Sequence, residues 1–82
     1  MRDPQRIQEI LGLINDIWVK SPDLRFQQLM FALQRDYSAK NGGIGKVEQE
    51  HKDGFVKVAF DLFYVEDDKF KEYLEGVLAN GF

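Results

Sequence analysis

Apolar residues recur every three or four positions over the first part of the chain, a spacing that is typical of an amphipathic helix. The repeat predicts a first helix from about residue 4 to residue 20. Its core-facing stripe would consist of Ile7, Ile10, Leu11, Ile14, Ile17 and Trp18. Asp3 can accept hydrogen bonds from the free N–H groups of the first turn, and Pro4 suits the first helical position. Leu13 and Val19 fall outside the stripe, so the apolar surface of this helix exceeds one face.

A second apolar repeat follows and predicts a helix from about residue 22 to residue 37. Ser21 is the expected cap and Pro22 the first helical residue, so a tight corner would join the two helices. The face of this helix that should meet the core carries Phe26, Leu29, Met30, Leu33 and Tyr37. Leu24 and Phe31 lie off that face and add to the apolar surplus.

Three glycines in four positions interrupt the pattern and predict a loop over residues 38–46. The segment from Asn41 to Lys46 has a superficial likeness to a glycine-rich phosphate loop. A phosphate loop needs Gly-x-x-x-x-Gly-Lys followed by Ser or Thr, and it emerges from a strand. Here a helix precedes the glycines and Val47 follows the lysine, so we interpret the segment as a flexible connector.

A hairpin is the expected structure over about residues 47–60. Asp53-Gly54 is a strong two-residue turn signal, and it stands between two segments with strand character. The register that such a turn implies pairs Glu50 with Lys57 and Val47 with Phe60. Because an isolated hairpin is marginal in water, its second strand should pack against the helices through Val56, Val58 and Phe60.

The third helix, predicted over about residues 67–79, has the clearest amphipathic pattern. Its apolar positions are Phe70, Tyr73, Leu74, Val77 and Leu78. An acidic cluster, Glu66, Asp67 and Asp68, meets its start, with Asp67 as the expected cap. Gly76 lies inside this helix, where glycine costs about 1 kcal/mol relative to alanine, and we expect it to permit close contact with another element. Asn80-Gly81 is the expected end.

These elements predict a mainly α fold, or α+β if the hairpin forms, with three helices and the hairpin between the second and third. The chain has 82 residues, of which 44% are hydrophobic, so we expect one domain over residues 1–82. The absence of cysteine and the single histidine exclude disulfides, thiolate sites and metal sites that need two histidines, and we expect no cofactor. No segment resembles a signal peptide or could cross a bilayer, so we expect a cytoplasmic protein without a membrane partner.

Catalysis finds little support in this composition. His51 is the single histidine, and it stands beside the predicted turn without the partners that a nucleophilic triad needs. The acids of the acidic cluster are contiguous, whereas ligands of Mg²⁺ or Ca²⁺ are spaced so that they surround the cation. We therefore expect no enzymatic activity, no catalytic residue and no metal site.

The apolar surplus suggests a function instead. Residues outside the core stripes either face a partner or complete the core, and they are Leu13, Val19, Leu24 and Phe31. We therefore predict a non-enzymatic protein-interaction module, with a homodimer as its simplest form. The alternative is a nucleic-acid-binding regulator of a mobile element, because two helices joined by a corner are similar to a helix-turn-helix. The cations it would use are Arg25, Arg35 and Lys40. The net charge of −3 opposes that alternative.

A latch hypothesis connects the second helix with the third. Arg25 is the natural partner for the acidic cluster, since a guanidinium binds carboxylates in a two-pronged geometry. Phe63 and Tyr64, just before the acids, would act as an apolar anchor, and the Tyr64 hydroxyl would find a polar partner. The candidate interaction or latch residues are thus Leu24, Arg25, Phe31, Phe63, Tyr64, Glu66, Asp67 and Asp68.

Two segments of the chain carry a resemblance to known proteins. They are Pro-Asp-Leu-Arg-Phe-Gln-Gln-Leu at residues 22–29 and Asp-Leu-Phe-Tyr-Val-Glu-Asp-Asp at residues 61–68. The chain resembles a family of small bacterial and prophage proteins that share these motifs, an Arg-Asp-Pro start and a tryptophan in the first helix. Residues 38–60 lie outside the resemblance. Because the family has no assigned activity, the resemblance implies a small single domain of bacterial or mobile-element origin and no catalytic residue.

Overall fold

The structure, a computed structural model, describes residues 2–50, 52–54 and 56–82, and it has the predicted order of elements. The elements are α1 (Gln5–Trp18), α2 (Phe26–Lys40), β1 (Lys46–Glu50), β2 (Val56–Phe60) and α3 (Asp67–Asn80). β1 and β2 form a two-stranded antiparallel sheet between α2 and α3, so the fold is α+β. His51, considered above as a catalytic residue, lies outside the described residues.

The core lies between the three helices, and its buried side chains are Ile17, Leu29, Leu33, Leu74 and Val77. Leu13 and Leu24 pack against this core, so of the two alternatives left open for them, a partner surface or part of the core, the second holds. Ile7 and Leu11 were expected in the core stripe of α1, but both are exposed. The reason is that α1 packs chiefly along α3, and one neighbouring helix cannot cover so wide an apolar arc.

Ion pairs fasten α1 to α3, and residue numbers rise in the same direction along both helices. The pairs are Arg2 with Glu66 at 2.9 Å, Arg6 with Asp67 at 2.7 Å, and Lys71 with Glu9. The hydrogen bond that Lys71 donates to Glu9 is the main cause that raises the pKa of this lysine. The two helices are therefore parallel neighbours.

α2 begins four residues later than predicted, at Phe26. Arg25 has an extended backbone and takes the cap position, where its N–H donates to Oε1 of Gln28 at 2.9 Å. The indole N–H of Trp18 donates to the carbonyl of Leu24 at 2.8 Å and holds the preceding segment in a turn. Pro22 therefore lies in the connection between the helices and not in the first turn of α2.

α2 also ends later than predicted, at Lys40, so residues 38–40 are helical and the loop is shorter. An ion pair between Lys40 and Asp36 at 3.0 Å supports the last turn, as does the bond of 2.8 Å that the Asn41 amide donates to the Tyr37 carbonyl. In the loop, Gly45 has a φ of +77°, and a Cβ there would lie 2.4 Å from the Asp61 carbonyl oxygen. Glycine is thus required where this loop passes the end of β2.

The hairpin forms, but its predicted register is wrong by one residue. The paired residues are Lys46 with Phe60, Val47 with Ala59, Glu48 with Val58, Gln49 with Lys57, and Glu50 with Val56. This pairing leaves an odd number of residues in the connection, whereas a two-residue turn requires an even number. Within this connection Gly54 has a left-handed φ of +85°.

The hairpin rests on α2 at its open end. Phe60 packs edge to face against Phe31 of α2, with ring centroids 5.6 Å apart. Val56 and Val58, which were also expected to pack on the helices, are exposed. Only the base of the two-stranded sheet is therefore covered in the described part of the chain.

The predicted ends of α3 are close to the observed ones. Glu66 takes the cap position that we expected for Asp67, and Gly81, at φ +80°, follows the last residue Asn80. The expected role of Gly76 is wrong: a Cβ at this position would have no atom within 4 Å outside its own helix and its chain neighbours. Gly76 is exposed and permits no close contact.

Candidate functional site

Two aromatic side chains project from the segment that joins β2 to α3. Phe63 is 80% exposed and Tyr64 is 89% exposed. Their rings stack edge to face with centroids 5.0 Å apart. We call this pair the aromatic knob. The expectation that it anchors α3 is wrong, because both rings face solvent.

The backbone beneath the aromatic knob is held by three hydrogen bonds. The Asp61 N–H donates to the Gly45 carbonyl at 2.7 Å, and the Asp61 carboxylate accepts from the Phe63 N–H at 3.0 Å. The N–H of Val65 closes the turn by donating to the carbonyl of Leu62 at 3.0 Å. The knob is therefore displayed by an ordered turn and not by an open loop.

The residues on either side of the aromatic knob point the other way. Leu62 and Val65 are half-buried, and they line a cavity of about 190 Å³ together with Ile10, Met30, Gln34, Asp67 and Phe70. These two aliphatic side chains thus take the inward positions that we expected of the aromatic pair, and the two rings between them are left outside.

The acidic cluster beside the knob is partly neutralised by α1. Glu66 and Asp67 pair with Arg2 and Arg6, and these are the partners that the latch hypothesis assigned to Arg25. Asp68 instead accepts a bond of 2.9 Å from the N–H of Lys69 in the first helical turn. Among residues 2–50, 52–54 and 56–82, no carboxylate forms an ion pair with Arg25.

The reason that Arg25 is not the latch is its position in the bundle. It follows Leu24, which is bonded to Trp18 at the far end of α1. Arg6, which holds Asp67, is about 18 Å away from Trp18 along the helix. The sequence signal that was missed is the pair of basic residues near the start of the first helix, Arg2 and Arg6, which can meet the acids at the start of a parallel helix.

A second exposed surface lies where the hairpin meets α2. It is a notch of about 430 Å³ whose lining residues are Phe31, Arg35, Ser38, Ala39, Lys46, Val58 and Phe60. The guanidinium of Arg35 lies 5.8 Å from the centroid of the Phe31 ring. Phe31 was expected to be surplus surface, and it is exposed while also supporting the hairpin.

A polar cleft of about 470 Å³ lies between α2 and α3, and two of its polar side chains bind the same carboxylate. The hydroxyl of Tyr73 donates to the carboxylate of Asp36 at 2.7 Å, and the same carboxylate binds Lys40. Burial, together with the bond to Asp36, raises the pKa of Tyr73 well above its usual value. A phenol that keeps its proton and is already bonded to a carboxylate is not poised as a base.

Within the described residues, no group of three or more His, Asp or Glu side chains is arranged to hold a metal ion. No helix there has both the length and the apolar character needed to cross a bilayer. No known family model matches the chain, and no curated protein or solved structure matches it significantly. Inferences about function therefore rest on the surface of this molecule alone.

Of the candidate residues, five come together. Phe63, Tyr64, Glu66, Asp67 and Asp68 form one surface at the start of α3. Leu24 packs against the core, Arg25 caps α2 at the opposite end of the bundle, and Phe31 lies on the notch. The exposed Ile7 and Leu11 were missed, because periodicity placed them in the core stripe, whereas Val19 was expected outside the stripe and is exposed.

Proposed function

We propose that the protein is a non-enzymatic interaction module that binds a partner protein by inserting the aromatic knob into an apolar pocket. The observation that carries the proposal is the exposure of two adjacent aromatic rings on an ordered turn. Aromatic side chains dominate the energetics of protein interfaces, and a turn whose backbone is already hydrogen-bonded loses less conformational entropy on binding than an open loop. Large exposed apolar groups are also costly to keep in water without a use.

The charge around the knob favours a protein partner over a nucleic acid. Exposed aromatic rings can stack on bases, but proteins that use them in this way surround them with cations. Here the neighbouring side chains are Asp61 and the acidic cluster, of which only Glu66 and Asp67 are paired with arginine. A phosphate backbone would be repelled at this surface.

The connection between α1 and α2 also differs from a helix-turn-helix. Residues 19–25 separate the two helices, whereas the motif uses a turn of about three or four residues. In addition, Lys40, one of the cations that α2 could offer to phosphate, is paired with Asp36. The nucleic-acid regulator remains the alternative, and the experiment below includes it.

The test compares the wild-type chain with the double variant Phe63→Ala/Tyr64→Ala. Immobilised wild type should capture a protein from a bacterial lysate that the double variant does not capture, and the purified pair should bind with the same difference. Phe82→Ala is the matched control, because Phe82 is an exposed aromatic residue outside the knob. Removing a central aromatic anchor should weaken binding by more than about 2 kcal/mol, or about 30-fold.

Two results would contradict the proposal. If the double variant binds the purified partner as tightly as wild type, the knob is not the contact. If the chain instead binds oligonucleotides at low salt and loses them steeply as salt increases, the nucleic-acid alternative replaces it.

A further inference from the structure

The outer face of α1 carries six exposed residues and no charge. We call it the α1 strip, and it consists of Pro4, Gln8, Leu11, Gly12, Asn15 and Val19. Pro4 and Val19 lie just outside α1 but have helical backbone angles, so the helical repeat of about 3.6 residues also applies to them. Their spacings of three and four residues place all six on one side of the helix. Leu11 is 60% exposed and Val19 is 63% exposed.

The absence of charge on the α1 strip is unusual for a chain in which 30% of residues are charged. The charged residues between Pro4 and Val19 are Arg6, Glu9 and Asp16. Arg6 and Glu9 pair with side chains of α3, while Asp16 lines a shallow groove with Lys71, and Gln8 and Gly12 of the strip line the same groove. Depletion of charge marks the centre of a protein interface and not a solvated helix face.

Gly12 provides a second observation at the middle of the strip. It lies in the interior of α1, where glycine costs about 1 kcal/mol relative to alanine. No residue that the structure describes requires it, because a Cβ there would have none of their atoms within 4 Å outside its own helix and its chain neighbours. A small residue on an outward helix face lets another helix approach closely.

The order of residues along the α1 strip is complementary to itself when it is reversed. An antiparallel copy with a two-fold axis between residues 11 and 12 places residue i opposite residue 23 − i. Leu11 then faces Gly12 of the second copy, Gln8 faces Asn15, and Pro4 faces Val19. A large side chain meets a small one at the centre, two amides meet on either side, and two apolar residues meet at each end.

The helix dipoles support the same direction of docking. Antiparallel helices place the positive end of one dipole beside the negative end of the other. Asn15 donates a long bond of 3.4 Å to Asp16, which leaves its amide oxygen free for Gln8 of the second copy.

We propose that a second copy of this chain docks antiparallel on the α1 strip, about a two-fold axis between Leu11 and Gly12. This inference deepens the interaction function proposed above and rests on it, but it uses a different surface from the aromatic knob. The strip is about 22 Å long, so the contact is smaller than a standard interface and the dimer is weak, with a Kd of about 10 µM to 1 mM.

The first test is the solution mass by light scattering over about 10 µM to 1 mM, the range of the expected Kd. Wild type should change from monomer to dimer across this range. Leu11→Glu should weaken dimerisation by more than about tenfold, because it would bury an unpaired carboxylate. Val56→Glu is the matched control, since Val56 is similarly exposed but lies on β2, and it should dimerise like wild type. Circular dichroism verifies that both variants are folded.

The second test determines the direction of the two copies. The chain has no cysteine, so single cysteines report contacts without a background. Two cysteines form a disulfide only when their Cα atoms are within about 7 Å, and in the proposed register two residues 8 are about 10 Å apart along the helices. An oxidised mixture of Gln8→Cys and Asn15→Cys chains should therefore cross-link faster than either variant alone.

The outcomes separate this inference from the proposed function. A wild-type chain that stays monomeric at every concentration, or a Leu11→Glu variant that dimerises normally, overturns the dimer. Gln8→Cys cross-linking as fast as the mixture also overturns it, because it indicates a parallel pair. In each case, capture of a partner through the aromatic knob can still succeed. Conversely, the knob variant Phe63→Ala/Tyr64→Ala should dimerise like wild type.

Discussion

Replacing Gly76 by alanine should stabilise the protein. Gly76 lies in the interior of α3 and lines the polar cleft between α2 and α3. The added methyl group would project into open space, since no atom outside its own helix and its chain neighbours lies within 4 Å of the Cβ position. Nothing therefore opposes the gain in helix propensity.

The size of the effect follows from the helix alone. Alanine is favoured over glycine by about 1 kcal/mol in a helix interior, chiefly because glycine loses more backbone entropy on folding. The methyl group stays exposed, so burial adds little. A gain of about 1 kcal/mol raises the midpoint temperature of a domain of this size by about 4–8 °C.

Urea unfolding followed by circular dichroism measures the change in free energy of unfolding. Gly45→Ala is the matched control: its φ is +77° and the new Cβ would lie 2.4 Å from the Asp61 carbonyl oxygen, so it should destabilise. If Gly76→Ala destabilised the protein as well, α2 and α3 would have to be closer than the structure shows. That result would support the sequence-based expectation that Gly76 permits close contact between α3 and another element.

Three further substitutions test the core, the polar cleft and the contact between α1 and α3. Leu33→Ala should lower the free energy of unfolding in urea by about 2–5 kcal/mol, because Leu33 is fully buried. Tyr73→Phe should cost about 1–2 kcal/mol near neutral pH through loss of the bond to Asp36. Because the folded chain holds the Tyr73 proton above pH 10 while the unfolded chain releases it, wild type should lose stability as pH rises above about 10, and Tyr73→Phe should lack this part of the loss. A double-mutant cycle of Arg6→Gln and Asp67→Asn should give a coupling of about 0–1 kcal/mol that decreases with salt.

Each of these expectations can fail in a specific way. A small effect at Leu33 would mean that the core is loosely packed. Equal pH profiles for wild type and Tyr73→Phe would mean that the phenol is not protected in the folded state. A coupling energy between Arg6 and Asp67 that does not change with salt concentration would mean that the pair is more buried than its partial exposure indicates.

The elements of the fold could be predicted because their signals are local. Apolar repeats predicted the three helices, and Asp53-Gly54 predicted the hairpin. The details that failed depend on partners distant in sequence or on a choice between similar turns. The start of α2 depends on the bond from Trp18 to Leu24, and the hairpin register depends on whether an even or an odd number of residues connects the paired strands.

The candidate site shows the same division. Phe63, Tyr64 and the acidic cluster could be singled out because they are adjacent in sequence. Their roles could not be assigned, since these depend on which side chains fill the space beneath the turn. Leu62 and Val65 take the inward positions there, and the arginines that pair with the acids are Arg2 and Arg6 and not Arg25.

The apolar surplus of α1 illustrates why exposure cannot be derived from periodicity. A repeat of three and four residues identifies side chains that share a face, but neighbouring helices determine how much of the face is covered. Here α3 lies on the side of Leu13 and draws it against the core, while Ile7 and Leu11 at the other edge stay exposed. The exposed apolar surface therefore includes Ile7 and Leu11, which periodicity assigned to the core, as well as Val19, which it did not. A search for an interaction surface on such a helix should begin with the whole apolar arc and then use the positions of charge, because Arg6 and Glu9 mark the side that is already occupied.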